Sequence, residues 1–146
     1  MDETPAARSK RAKRKKVIAS VAGIILLIAS SFFIWLFMQM HRASKAFSSF
    51  GQALVSTDYK HAYELTSSDF REAMSESAFA DQQRALSSHL GALKVVKQGP
   101  SETDGNQDGW KSTISAHFVY ERAERQFVFV MKETDGKWEV YGYKEQ

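Results

Sequence analysis

The carboxylates and imidazoles of this 146-residue chain that could serve acid–base chemistry include Asp58, Asp69, His61, His89 and His117. A carboxylate or imidazole becomes a general acid or base when burial and neighbours bring its pKa near the working pH. Asp58 follows Thr57 at a break in helical periodicity, and Asp69 closes the run Thr66-Ser67-Ser68-Asp69. Both are places where a helix N-cap is expected, and capping is the role those positions suit. His61 stands between polar neighbours on a short helix and is expected to face solvent. His89 falls in a last helical turn, where a cation meets the negative end of the helix dipole. The four histidines have no metal-ligand spacing, and no Gly-x-Ser-x-Gly elbow occurs. The chain has no cysteine, which excludes disulfides, S-palmitoylation and lipid attachment through Cys. The reading is a non-enzyme with no catalytic residue, no metal site and no cofactor.

The elements that mount these residues begin with one junction. The basic run Lys10-Arg11-Ala12-Lys13-Arg14-Lys15-Lys16 abuts an uncharged apolar stretch from Val17 to Met40. Its 24 residues make about 36 Å of helix, enough to cross a hydrocarbon core of about 30 Å with some tilt. Lys and Arg beside a span resist translocation. Residues 1–16, with seven Lys or Arg against Asp2 and Glu3, are therefore expected inside, residues 17–40 in the membrane and residues 41–146 outside the cytoplasm. Phe32, Phe33, Trp35 and Phe37 gather toward the far end, as an outer interfacial belt would. A cleavable signal is disfavoured, because Phe32 to Met38 carry the apolar run past the small residues Ala29-Ser30-Ser31. The basic tail is read as a topology signal ahead of a lipid or nucleic-acid contact. Ala19-x-x-x-Gly23 offers a small-residue groove for helix pairing, a spacing common by chance.

Residues 41–146 suffice for one small domain. It holds thirteen Lys and Arg, the twenty of the chain less the seven of the tail, against fifteen Asp and Glu. The domain is thus near neutral and carries no nucleic-acid-binding surface charge. Its first half has helical periodicity. Ala43, Ala46, Phe47, Phe50 and Leu54 form one apolar stripe, Tyr59 to Leu65 a short helix, and Phe70, Ala73 and Met74 another. Ser75 or Ser77 opens a further helix with Phe79, Gln83, Leu86 and Leu90 on one face, and Gly91 stops it.

After Gly91 the period changes to two. Leu93, Val95 and Val96 predict a first strand ended by Gly99-Pro100, and 101–109 reads as a loop. Three strands follow, about 110–121, 124–133 and 137–144, with Asp135-Gly136 as a tight hairpin turn. The expected register sets Met131 opposite Val140, Phe129 opposite Gly142, Phe118 opposite Phe127 and Ile114 opposite Met131. One face then carries Ile114, Ala116, Phe118, Phe127, Phe129, Met131, Trp138 and Val140, and packs on the helices. The other shows His117 beside Val128 and Tyr143, and Val130 beside Tyr141, with Lys132 opposite Glu139 at the rim.

Helices first and an antiparallel sheet after them is an α+β order. The stretch Ala53-Leu54-Val55-Ser56-Thr57-Asp58-Tyr59-Lys60-His61-Ala62-Tyr63-Glu64-Leu65-Thr66 resembles the opening of bacterial NTF2-like (cystatin-like) domains. Phe70, Arg71, Ser75, Phe79, Gly91 and the ending Asp135-Gly136-Lys137-Trp138-Glu139-Val140 continue that likeness. The resemblance implies a cone of short helices packed on a curved four-stranded antiparallel sheet, behind a single transmembrane helix. Enzymatic members of that superfamily place an Asp or His in the cone mouth. Its membrane-anchored scaffolds share this chain's layout.

The expected function is a membrane-anchored, extracytoplasmic binding or scaffolding module of the cell envelope. Its partner would be an envelope protein or a second copy, met through His117, Val128, Val130, Tyr141 and Tyr143. The alternative is a cone that binds a small apolar ligand among Phe50, Tyr63, Phe70, Phe79, Trp110 and Trp138. A small-molecule isomerase or hydratase comes third. The setting is the cytoplasmic membrane, crossed once, with the N-terminus inside.

Overall fold

The computed structural model describes residues 5–106 and 108–146, with the side chains of 5–22 and of Asn106 outside the description. Asp2 and Glu3, the basic side chains of the tail and Ala19 of the helix-pairing spacing therefore lie outside the described residues. Two compact units divide the chain, Met1–Gln39 and Met40–Gln146. Helix α1 (Pro5–Val55) contributes to both. From Gly23 onward it holds a stretch with mean hydropathy 2.1, of which 6% is buried. Phe33 and Phe37 are 73% and 72% exposed. By length and composition, this one helix can cross a membrane.

The second unit is α+β. After α1 come α2 (Tyr59–Glu64), α3 (Ser68–Ala73) and α4 (Glu76–Leu90), then β1 (Leu93–Asn106), β2 (Gly109–Tyr120), β3 (Glu124–Thr134) and β4 (Lys137–Glu145). The strands form one antiparallel meander in the order β1-β2-β3-β4. Each short helix starts on a side-chain cap. Asp58 accepts the His61 N–H at 3.1 Å, Ser67 the Phe70 N–H and Ser75 the Ala78 N–H, both at 3.2 Å. Asp69 is thus not a cap; it sits in the first turn of α3, where a carboxylate favours the helix dipole. The Arg71 guanidinium donates to the carbonyls of Glu64 and Thr66 and ties α3 back to the end of α2.

The predicted inner face is the observed one. Ile114, Ala116, Phe118, Phe127, Phe129, Met131, Trp138 and Val140 are buried with Ala43, Phe47, Phe50, Ala53, Leu54, Ala62 and Phe79 in a single core. Three details differ from the expectation, each for a physical reason.

First, β1 does not stop at Gly99-Pro100. Its pairing with β2 resumes at Ser101↔Ile114 and continues to Asn106↔Gly109, so most of the expected loop is strand. A register shift between Gln98 and Ser101 absorbs Gly99 and Pro100. β1 is an edge strand, where a proline's missing N–H removes no bond from a second neighbour.

Second, β2 and β3 pair two residues away from the expected register. Phe118 faces Arg125, Ala116 faces Phe127 and Ile114 faces Phe129. A two-residue offset leaves every side chain on the same face, so the core is unaffected.

Third, β4 carries an extra residue. Met131 faces Val140 and Lys132 faces Glu139 as expected, but Val130 faces Gly142 and Phe129 faces Tyr143. The irregularity between Val130 and Met131 is a bulge, and it turns Tyr143 onto the inner face. Beside it, the Ser67 N–H donates to the Val140 carbonyl at 2.9 Å and the Val140 N–H to that of Leu65 at 3.1 Å. The α2–α3 linker is thereby bonded to the free side of β4. Asp135 and Gly136, with φ of 52° and 79°, close the last hairpin as both central residues of a type I′ turn require.

Candidate functional site

The interior between helices and sheet is packed with rings. Phe129 is its centre, with ring centroids 5.0 Å from Phe47, 5.7 Å from Phe50, 5.6 Å from Phe118 and 5.2 Å from Tyr143. Of the six aromatics expected to line a ligand pocket, Phe50 and Phe79 are wholly buried and Trp138 is 7% exposed. Tyr63, Phe70 and Trp110 are half-buried against the core. Tyr63 is anchored through its hydroxyl to the Met74 carbonyl at 2.8 Å. Phe70 stacks on Tyr143 at 6.0 Å, and the Trp110 ring lies over Gly105, leaving no room there for a Cβ. Of the six, Phe50 borders the small cavity among these rings. That cavity, about 10 Å³, is bounded by Phe50, Leu54, Leu86, Phe118, Phe127 and Phe129, with Gln83, Tyr120 and Tyr143. That is room for about one water.

Tyr143 brings the only polar cluster into this region among the described residues. Its hydroxyl donates to Gln82 Oε1 at 3.1 Å and accepts from Gln83 Nε2 at 3.3 Å. Burial pushes its pKa up to about 12, against the Gln83 hydrogen bond, which favours ionisation. Tyr120 is likewise raised to about 12 by burial and then by the nearby Tyr143. Both shifts run away from neutrality, opposite to what a proton-transfer group needs.

The acid–base candidates stand elsewhere. Asp58, Asp69, His61, His89 and His117 are all exposed, and none touches the cavity. His61 Nδ1 lies 3.8 Å from Glu64 Oε2 on the same helix. Glu121 has its carboxyl held below the usual range by the Lys94 side chain and the Ala92 N–H, a contact that pins the α4–β1 link to the end of β2. Among the described residues no group of three or more His, Asp or Glu is placed to hold a metal ion.

Two outer surfaces remain. The sheet's far face carries Thr113, Ser115, His117 and Val119 on β2, Val128 and Val130 on β3 and Tyr141 on β4. Val119, Val128 and Val130 are half-buried by their strand neighbours, while His117 is exposed and Tyr141 is 39% exposed. The Lys132 ammonium lies 5.4 Å over the Tyr141 ring. Of the five expected interface residues, the sheet brings His117, Val128, Val130 and Tyr141 to this face. Tyr143 is on the other.

The second surface was not foreseen. A groove of about 390 Å³ runs between α1 and β1, lined by Phe47, Gly51, Gln52 and Val55 from the helix and by Lys94, Val95, Val96 and Gln98 from the strand. A Cβ on Gly51 would stand 3.2 Å from that of Val96, so glycine lets the helix approach the edge strand. Gln98 Nε2 donates to Ser44 Oγ at 2.9 Å and ties the same two elements together. The sequence signal was a glycine inside an apolar helical stripe. No protein-family model matches the chain, and a search of curated proteins returns no match.

Proposed function

We propose that the chain is a single-pass protein of the cytoplasmic membrane, with its N-terminus inside. It carries an NTF2-like binding or scaffolding domain outside the cytoplasm and acts without catalysis. The observation that carries this reading is the contrast between two sides of one sheet. The inner side is packed with aromatic rings around Phe129, and the cavity among them holds about 10 Å³. The outer side presents Val128, Val130, Tyr141 and His117 with no helix over them among the described residues. An exposed tyrosine among half-buried valines, with charges at the margin, has the apolar-centre and polar-rim layout of a protein contact. Holding such a face on a membrane raises the effective concentration of any partner in the same membrane. The charge asymmetry of the flanks supports the orientation, with seven basic residues before the apolar run.

Two experiments test this. The chain has no cysteine, so Lys60→Cys introduces a single thiol at an exposed position on α2, off the proposed contact face. A membrane-impermeant maleimide is expected to label it in intact cells. Labelling only after lysis would overturn the orientation. For the contact face, Val128→Glu combined with Tyr141→Ala is expected to cut the yield of crosslinked complexes from intact membranes roughly tenfold or more, as loss of a central anchor does. Unchanged complexes from a folded double variant would move the contact off this face.

A further inference from the structure

A third cavity lies at the start of the second unit. It is a shallow hollow open to solvent, lined by Arg42, Lys45, Ala46 and Ser49 of α1 and by Gly136 and Trp138 of the β3–β4 hairpin. Arg42, Lys45 and Ser49 recur at spacings of three and four, which puts them on one face of the helix. Both cationic side chains are exposed, and among the described residues neither makes an ion pair. No carboxylate lines the hollow. The acids at the tip of the hairpin are Glu133, whose Oε1 already accepts the Gly136 N–H at 2.9 Å, and the exposed Asp135.

Two cations on one helix face, without an ion pair among the described residues and with no carboxylate beside them, have the charge that attracts an anion. Their place along the chain says which anion is at hand. The apolar run ends at Met40, two residues before Arg42 and five before Lys45. Even a fully extended chain covers at most about 18 Å over five residues, so both cations stay within reach of the surface the run emerges from. Phosphate is the anion abundant there, and each Lys or Arg near an anionic leaflet contributes on the order of a few-fold in affinity.

We propose that this hollow binds the phosphate of an anionic phospholipid headgroup through Arg42 and Lys45. The site rests on the anchored reading above but not on the direction in which the chain crosses. A headgroup in either leaflet would meet the same residues.

The test uses the full chain in detergent micelles, titrated with phosphatidylglycerol, phosphatidylcholine or inorganic phosphate and followed by native mass spectrometry. The wild type is expected to hold one phosphatidylglycerol more tightly than Arg42→Gln combined with Lys45→Gln, by roughly thirtyfold. The basic tail attracts the same lipid equally in both forms, so the difference belongs to the hollow. Arg42→Lys with Lys45→Arg, which keeps both charges, is expected to retain the lipid. Both positions are exposed, so circular dichroism should show an unchanged fold. Equal retention by the Gln variant, or equal retention of phosphatidylcholine, overturns the proposal. Displacement of the lipid by comparable inorganic phosphate overturns the lipid as the source. The Lys60→Cys labelling fails separately: lipid retention without outside labelling keeps this site and rejects the orientation, and the reverse result rejects this site alone.

Discussion

Replacing Phe129 by alanine is expected to lower the stability of the Met40–Gln146 unit by about 3–5 kcal/mol. The ring is 1% exposed and meets five others, from Phe47 and Phe50 on α1 to Phe118, Phe127 and Tyr143 on the sheet. No one element can close the space it would leave, because its neighbours come from α1, β2, β3 and β4 at once. A domain of this size has a total stability of about 5–15 kcal/mol, so the loss is a large share of the whole. Denaturation of the full chain in detergent, followed by near-ultraviolet circular dichroism, reads it as a shift of the midpoint. Tyr141→Ala on the outer face serves as the comparison, with an expected change within about 0.5 kcal/mol. A Phe129→Ala midpoint as little shifted as that of Tyr141→Ala would mean that the interior is not close-packed.

Gly91→Ala is expected to cost about 3 kcal/mol, although it adds one methyl group outside the core. Two causes combine. Gly91 ends α4 with φ 84° and ψ −179°, a region that only glycine occupies without strain. An added Cβ would also stand 2.6 Å from Glu121 Cβ and 2.9 Å from its Oε2. Moving Glu121 disturbs its 2.6 Å contact with Lys94 and its bond from the Ala92 N–H, which pin the α4–β1 link and the start of β1 to the end of β2. Gly136→Ala separates the causes. That residue has φ of 79° but nothing within 4 Å of an added Cβ, so it should show the backbone cost alone, about 1 kcal/mol. Equal thermal shifts in the two variants would remove the steric part of the argument.

Much of the fold is legible locally. The stripe Ala43-Phe47-Phe50-Leu54, the caps Asp58 and Ser75, the Gly91 stop and the Asp135-Gly136 turn are each written within a few residues. So is the alternation that sorts Phe127, Phe129 and Met131 from Val128 and Val130. The candidate contact face is legible to the same extent, since His117, Val128, Val130 and Tyr141 follow from alternation alone. Tyr143 does not. Alternation from Val140 places it outside, and the bulge places it inside, stacked on Phe70. Gly142 between two tyrosines was the local sign, since glycine within a strand often marks a bulge.

The register of β2 on β3 was not legible because an offset of two leaves the same residues buried. The turn at residues 121–123 decides it, and hydrophobic pattern is blind to that choice. Gly99-Pro100 reads locally as a strand end. It lies within β1 because pairing on both sides of it outweighs the break, and because an edge strand has no second neighbour to disappoint.

By itself, then, the sequence determined the apolar span, the order of helices before strands and the composition of each face, because periodicity and capping act over one or two turns of chain. The tertiary structure alone decided which residues meet. The ring-packed interior, the inward Tyr143, the α1–β1 groove and the hollow at Arg42 and Lys45 each join segments tens of residues apart. Their geometry depends on registers and bulges that differ little in local energy and are settled only when the whole sheet closes on its helices.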